Sequence, residues 1–188
     1  MQVVEEYIEL TIQSNIELQE NNPATFYKTM EWRDKAMLEN LLWLAHEVYP
    51  NEKFIVWAHN DHIRKAHSKV MGSPYPVKML GELLPEEEKK LSYVIRLYMG
   101  GGELSTNDRM VLPVSPLEKG SIEDILSAVN TAYTFIDMRY CQNERGNSWM
   151  FEPRLAYSWG IIPESFVPRE QYDVLLLIDQ ASPPTYIE

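Results

Sequence analysis

Apolar residues occur along this chain in two patterns, a spacing typical of helices and short unbroken runs typical of buried strands. Helical spacing occurs twice near the amino terminus, over residues 3 to 20 and 25 to 48. An amphipathic helix buries its apolar face, so two core-facing helices are predicted. The first stripe is formed by Val4, Ile8, Ile12 and Ile16, and the second by Met30, Met37, Leu41, Leu44 and Val48.

The run from Phe54 to Ala58 is short, β-branched and aromatic, and it carries no charge. It is typical of a strand buried on both faces of a parallel sheet. Strands that alternate with helices favour one α/β domain over residues 1–188, a layered, mostly parallel sheet flanked by helices. Further strands are predicted at 93–98, 110–114, 134–138 and 174–178, and further helices at 77–84 and 122–129, the last capped by Ser121 with Asp124.

Two histidines, His59 and His62, follow the apolar run directly. A strand at this place sets them at the carboxyl edge of the sheet, where open α/β folds bind ligands. Imidazole takes up and releases protons near neutral pH, as the hydrolysis of an ester or amide requires. The alternative is structural, because a histidine at a strand end is often only a polar cap bonded to the backbone.

A metal site is a second alternative for the same residues. His59, His62 and His67, with Asp61, supply imidazole and carboxylate ligands. A helical zinc pair, however, usually has its histidines at i and i+4 with a glutamate between them, whereas His59 and His62 are at i and i+3. The spacing therefore argues against a metal, and we expect no metal or other cofactor.

Composition and charge exclude several classes of partner. The chain of 188 residues has 17 basic and 28 acidic side chains, and its formal charge of −11 repels nucleic acids and anionic membranes. No apolar run approaches the roughly 18 residues of a membrane helix, and the first residues have no basic region for secretion. A cytoplasmic location is expected. The single cysteine, Cys141, excludes an internal disulfide.

Three blocks of the sequence resemble the carboxyl-terminal half of the erythromycin esterase family. The family pattern is roughly Arg-Asp-x-x-Met-x-x-Asn on a helix, then Trp-Ala-His-Asn-x-His, then Met-Gly. Here the blocks are Arg33 to Asn40, Trp57 to His62, and Met71-Gly72. Weaker likenesses follow at Gly120 to Glu123, Phe135 to Arg139 and Tyr172 to Asp179, so that the resemblance spans about residues 25 to 180.

The resemblance implies the hydrolysis of a small-molecule ester or macrocyclic lactone without a metal, and it associates the chain with antibiotic resistance. His59 and His62 would hold or protonate oxygens of the tetrahedral intermediate. Arg33 would supply positive charge near the oxyanion, and Asp34 and Asn60 would orient their neighbours. Macrolide specificity does not follow, because distant members of such a family act on different esters.

The chain also departs from the family pattern. The first half of the family's members carries a Gly-Glu-x-x-His-Gly type segment, whose histidine is taken to be the general base. In this chain, no histidine follows the Gly-Glu pairs Gly81-Glu82 and Gly102-Glu103. We therefore expect either a fragment of an esterase or a noncatalytic ligand-binding or oligomerising module. Such a module would form a homodimer or pair with a complementing amino-terminal half.

Overall fold

The computed structural model describes residues 2–19, 24–73 and 76–186. Contacts divide the described residues into two compact units, which are considered separately. Unit 1 covers residues up to 69 together with 76–91, and unit 2 covers 70–73 together with 92–186. The expectation of one domain over residues 1–188 stays a prediction.

Unit 1 is helical. Its two long helices, α1 (Gln2–Gln19) and α2 (Ala24–Trp43), pack on each other, and a π-helical turn over Leu44–Val48 extends α2. Both long helices were predicted, and both are confirmed. Shorter elements follow: α3 (Asn60–Ile63), a 3₁₀ turn (His67–Lys69), α4 (Leu80–Leu83) and α5 (Glu86–Leu91).

The described residues of the predicted apolar stripes do not form the buried faces of α1 and α2, and the side chain of Val4 lies outside the described residues. Ile8, Ile12 and Ile16 of α1 are 51%, 56% and 48% exposed, and none of the five apolar residues assigned to the α2 stripe is buried. The hydroxyl of Thr29 donates to the carbonyl oxygen of Thr25 at 2.9 Å, which satisfies a buried polar group. The stripe prediction was therefore wrong for these residues, since the buried face of α2 is mostly polar. That face consists of Thr25, Thr29, Asp34 and Leu38.

The predicted buried strand from Phe54 to Ala58 does not form. Residues 52–59 adopt neither helix nor strand, and Ile55 and Trp57 are 94% and 84% exposed. No described backbone hydrogen bond involves residues 53–58, because no described strand runs beside them. Strand propensity has an effect only where a neighbouring strand is available. His62 consequently lies on α3, and His59 at its N-cap, rather than at a sheet edge.

Unit 2 contains the described strands. Those expected near 93–98, 110–114, 134–138 and 174–178 are confirmed, as is the helix near 122–129 with its Ser121 cap. The hairpin of β5 and β6 was not predicted. The strands are β1 (Ile95–Met99), β2 (Glu103–Ser105), β3 (Val111–Pro113), β4 (Tyr133–Asp137), β5 (Arg154–Ser158), β6 (Ile162–Phe166) and β7 (Val174–Ile178), and the helices are α6 (Ile122–Ser127) and α7 (Pro168–Gln171).

Strand β7 is the centre of a three-stranded sheet with the order β1-β7-β4. It pairs in parallel with β1, where Val174 faces Ile95, and antiparallel with β4, where Leu176 faces Phe135. The pairs β2-β3 and β5-β6 are antiparallel, so β1-β7 is the only parallel ladder among the described strands. The α/β class is confirmed, whereas a layered, mostly parallel sheet is not. None of the described helices is long and apolar enough to cross a bilayer.

Candidate functional site

His62 lies on α3 between an acidic and a basic side chain of α2. Its Nδ1 is 2.7 Å from Asp34 Oδ1, and its Nε2 is 2.7 Å from a terminal nitrogen of the Arg33 guanidinium. The His62 side chain is 14% exposed and the Asp34 side chain 0% exposed. Two adjacent residues of α2 therefore contact the two nitrogens of one imidazole ring.

These two contacts determine which nitrogen of His62 carries the proton. A guanidinium has only N–H donors, so the Nε2 atom that accepts from Arg33 must present its lone pair. The ring proton then lies on Nδ1 and is donated to the Asp34 carboxylate. A carboxylate that orients a histidine through Nδ1 is a recurring arrangement in proton-transfer sites.

Asp34 and Arg33 differ in the number of described hydrogen bonds that their side chains make. Asp34 Oδ1 also accepts the backbone N–H of Leu80 at 2.9 Å, while Asp34 Oδ2 is buried and has no hydrogen-bond partner among the described residues. The two donors on Oδ1 offset part of the cost of burying the carboxylate. The described hydrogen bond of the Arg33 side chain goes to His62, and no described carboxylate forms an ion pair with it.

His59 is the N-cap of α3. Its Nδ1 accepts the backbone N–H of Asp61 at 3.3 Å and lies 3.4 Å from Asp61 Oδ2. Asp61 in turn pairs with the fully buried guanidinium of Arg64. Asn60 is the first residue of α3, and its carbonyl oxygen accepts from the N–H of Arg64 at 3.2 Å. The His59 side chain is 37% exposed, and its catalytic role stays a prediction.

The structure thus brings Arg33, Asp34 and His62 into direct contact, and it places His59 and Asn60 on the same short turn as His62. His67, which was considered as a metal ligand, is 1% exposed in the 3₁₀ turn. Within the described ranges, no group of three or more His, Cys, Asp or Glu side chains is arranged to hold a metal ion.

Sequence reasoning missed two parts of this site. The Asp61–Arg64 pair is spaced i, i+3, a helical spacing that is recognisable in a sequence. The contact between α4 and Asp34 cannot be recognised in the sequence. It is made by the backbone N–H of Leu80, a group that every residue except proline possesses.

Comparison with known proteins connects this chain to a family. The sequence model of the family described as erythromycin esterase matches residues 2–181. The chain is 37% identical over 161 residues to a Bacillus subtilis (strain 168) protein named "Putative hydrolase YbfO", and the match covers 83% of this chain and 36% of that protein.

Three solved structures have a similar fold. A Bacillus cereus protein is 24% identical, with a TM-score of 0.67 over 84% of this chain and 40% of that one. A succinoglycan biosynthesis protein is 19% identical, with a TM-score of 0.69 over 99% and 50%. A mutant of the erythromycin esterase EreC in its open conformation is 14% identical, with a TM-score of 0.61 over 96% and 52%. The chain therefore spans about a third to a half of the length of these relatives.

Proposed function

Because the chain belongs to the erythromycin esterase family, we propose that it carries the proton-transfer site of a hydrolase that cleaves esters or macrocyclic lactones without a metal ion. The observation that supports this proposal is the position of His62 between Asp34 and Arg33. A neutral imidazole with its Nδ1 proton held by a carboxylate has its Nε2 lone pair ready to accept a proton.

In the proposed reaction, substrate displaces Arg33 from Nε2 of His62. A water oxygen then adds to the ester carbonyl carbon, and its proton passes to Nε2. The C–O bond to the leaving group breaks as Nε2 returns the proton to the alkoxide, so the products are an acid and an alcohol. Arg33 lies beside the carbonyl oxygen that becomes negative and stabilises that charge.

His59 and Asn60 have supporting roles in this proposal. As the N-cap, His59 fixes the start of α3, three residues before His62. Its exposed imidazole is also available to hold an oxygen of the intermediate, and Asn60 orients its neighbours. The family's Gly-Glu-x-x-His-Gly segment is not among these 188 residues. The histidine of that segment would be a base in addition to His62. Because base assistance is worth about 10²–10⁴ in rate, we expect slow hydrolysis by the chain alone.

Two histidine-to-glutamine variants test the proposal. His62→Gln removes the proton acceptor and is expected to lower kcat/KM for a p-nitrophenyl ester about 10²-fold. His46→Gln is the matched control, because His46 also contacts a carboxylate, Glu88 at 2.9 Å, but is 52% exposed and outside the network. Equal rates in the two variants would refute a catalytic role for His62.

Chelation tests the metal-free character of the proposed reaction. Hydrolysis is expected to persist after exhaustive dialysis against a chelator. About one equivalent of bound zinc, together with loss of activity on its removal, would replace this proposal with a metal-dependent one.

The exposed segment from Phe54 to Trp57 favours a second candidate function, that of an oligomerising module. Its backbone has no described hydrogen bonds, and its sequence is aromatic, aliphatic, aliphatic, aromatic. Antiparallel pairing with a second copy about a two-fold axis places Ile55 opposite Val56 and Phe54 opposite Trp57, so that apolar side chains meet on both faces. We propose a homodimer of this geometry.

Light scattering coupled to size exclusion measures this association. We expect a dimer that Ile55→Lys converts to a monomer. Leu91→Lys is the control, because Leu91 is 84% exposed in the same unit but lies outside the segment. A wild-type chain that is monomeric at all concentrations would refute the dimer.

A further inference from the structure

Three consecutive residues of α4 contact the three elements around His62, and we infer that α4 positions the Asp34–His62 pair. Leu80 contacts α2, Gly81 contacts α3, and Glu82 contacts the 3₁₀ turn. The effect on reaction rate rests on the proposed function, whereas the effect on the His62 ring proton rests on geometry alone.

Leu80 supplies a hydrogen bond to the carboxylate that orients His62. It is the first residue of α4, and the first N–H groups of a helix have no partner within it. The Leu80 N–H instead donates to Asp34 Oδ1 at 2.9 Å, the same oxygen that accepts from His62 Nδ1. Because Leu80 is only 6% exposed, water competes little for this bond. A shift of α4 therefore changes the position of the oxygen on which His62 depends.

Gly81 allows α4 to approach the end of α3. A Cβ atom at this position would overlap the carbonyl group of Ile63 and lie 2.7 Å from the carbonyl oxygen of Arg64. Both obstacles are backbone, which cannot rotate away as the end of a side chain can. Ile63 is the last residue of α3 and directly follows His62. A larger residue at position 81 must therefore move α3 and α4 apart, and with them the two donors that share Asp34 Oδ1.

Glu82 connects α4 to the 3₁₀ turn. Its carboxylate accepts two hydrogen bonds from Ser68, one from the backbone N–H at 2.8 Å and one from the hydroxyl at 2.7 Å. Gly81 and Glu82 thus act together through backbone proximity and two hydrogen bonds. They fix α4 between α3 and the 3₁₀ turn.

The position of the His62 ring proton reports on this arrangement without any substrate. The hydrogen bonds of a histidine set which nitrogen is protonated, and the two nitrogens are distinguished by ¹⁵N NMR of the ring. The chain has four histidines, so His62 is assigned from the spectrum of His62→Gln. We expect the unmodified chain to carry the proton on Nδ1.

The first test compares two glycine substitutions. Gly81→Ala is expected to reduce the Nδ1–H signal of His62 in favour of Nε2–H, and to lower kcat at least tenfold with KM changed less than twofold. Gly101→Ala is the control, because its Cβ would meet a movable side-chain atom of Gln180 at 3.1 Å, and we expect neither property to change. A folded Gly81→Ala chain with the wild-type ring signal and kcat would overturn the inference.

A second pair of variants compares the chain with and without the hydrogen bond from Leu80 to Asp34, and neither variant adds a Cβ at position 81. This pair tests the inference if Gly81→Ala does not fold. Leu80→Pro deletes the N–H donor of the backbone and shortens the side chain, at a first helical position that proline favours. The preceding Met79 is extended, with φ −103° and ψ 174°, as a residue before proline must be. Leu80→Ala keeps the N–H while shortening the side chain. We expect Leu80→Pro to change the His62 ring signal and Leu80→Ala to keep it; an unchanged signal in folded Leu80→Pro would contradict the inference.

The two readouts separate this inference from the proposed function. If the ring signal changes in the α4 variants but no chain hydrolyses esters, the positioning role stands and the proposed function fails. If hydrolysis is present but the ring signal and kcat are the same in all α4 variants, the proposed function stands and the positioning role fails.

Discussion

Each unit of this protein contains an arginine whose side chain hydrogen-bonds another side chain, yet the two arginines, Arg33 and Arg96, have different surroundings. In unit 1, Arg33 is half-buried, and its described hydrogen bond goes to a nitrogen of His62. In unit 2, Arg96 is 1% exposed and forms an ion pair with Glu164 at 2.8 Å. Arg96 also donates to the Tyr172 hydroxyl at 2.9 Å and lies over the Tyr98 ring, 4.5 Å from its centroid.

The two arginines differ in whether a ligand could replace the group that the guanidinium contacts. Arg96 has an anionic partner, a hydroxyl and aromatic rings, all away from solvent, so no ligand can take their place without unfolding. Arg33 donates a hydrogen bond to a ring nitrogen of His62, whose side chain is partly exposed. An anionic oxygen is a stronger acceptor for a guanidinium than such a nitrogen. A buried charge is thus a weak sign of a functional site, whereas a charge with a replaceable partner is a stronger one.

The largest effect that we expect is the loss of stability in Arg96→Met. The substitution removes one member of the buried Arg96–Glu164 ion pair, and breaking such a pair from one side costs about 3–5 kcal/mol. Arg33→Met should change the free energy of unfolding by less than about 1 kcal/mol, since no described ion pair depends on it. Urea unfolding followed by circular dichroism measures both variants, and equal losses would remove the distinction between the two arginines.

The second expected effect is on activity. Arg33→Gln keeps hydrogen-bond donors but removes the charge, and loss of an oxyanion-stabilising group typically lowers kcat about 10²–10³-fold. Arg154→Gln is the control, because Arg154 pairs with Glu152 near the surface of unit 2 at 3.1 Å. Initial rates on a p-nitrophenyl ester compare the two, and a comparable decrease in Arg154→Gln would mean that the effect is not specific to the site.

A third prediction separates the two roles of His59. His59→Ala removes the N-cap of α3 and should cost about 1 kcal/mol, whereas His59→Asn should retain the cap because asparagine is a preferred N-cap residue. If the imidazole takes part in the reaction, both variants lose hydrolysis although His59→Asn stays as stable as the wild type. Full activity in His59→Asn would show that His59 only caps the helix.

The smallest effect concerns a carboxyl group in unit 2 with no proposed function. Glu123 is 3% exposed, and burial raises its pKa above the ordinary 4.5, partly offset by the N–H of Tyr157. The folded chain then holds this proton more tightly than the unfolded chain, so the stabilisation is complete below pH 4.5 and is lost as pH rises through the raised pKa.

Glu123→Gln is neutral at every pH and keeps an acceptor for Tyr157. Relative to the wild type, we expect it to gain stability as the pH rises. Urea midpoints at low and at high pH measure this gain, and a gain that is larger at low pH would have the wrong sign.

The sequence predicted unit 2 better than unit 1, for physical reasons. The run from Val174 to Ile178 is buried as expected because its partner strands β1 and β4 lie beside it, and Ser121 caps α6 through a local contact. In unit 1, helical periodicity predicted α1 and α2 but not their buried faces. A pattern shows which face is apolar, but the buried face also depends on what packs against it, and the apolar run at Phe54 has no described partner strand.

The site was predicted as a set of candidates rather than as an arrangement. Asp34 and His62 are 28 positions apart, and no local spacing shows that they meet. The family resemblance brought Arg33, Asp34 and His62 together as candidates, and the structure adds their contacts. The roles of Leu80 and Gly81 rest on a backbone N–H and on the space left by a missing Cβ, neither of which a single sequence reveals.

A double-mutant cycle of Asp34→Asn and His62→Gln tests most directly whether these two side chains act as one proton-transfer unit. The values of kcat/KM for the wild type, each single variant and the double variant are compared at one pH, with circular dichroism to verify folding. In the proposed site Asp34 acts only through His62, so we predict that the double variant is no slower than His62→Gln alone. Losses that multiply in the double variant would show that the two residues act independently, which would contradict the proposed site.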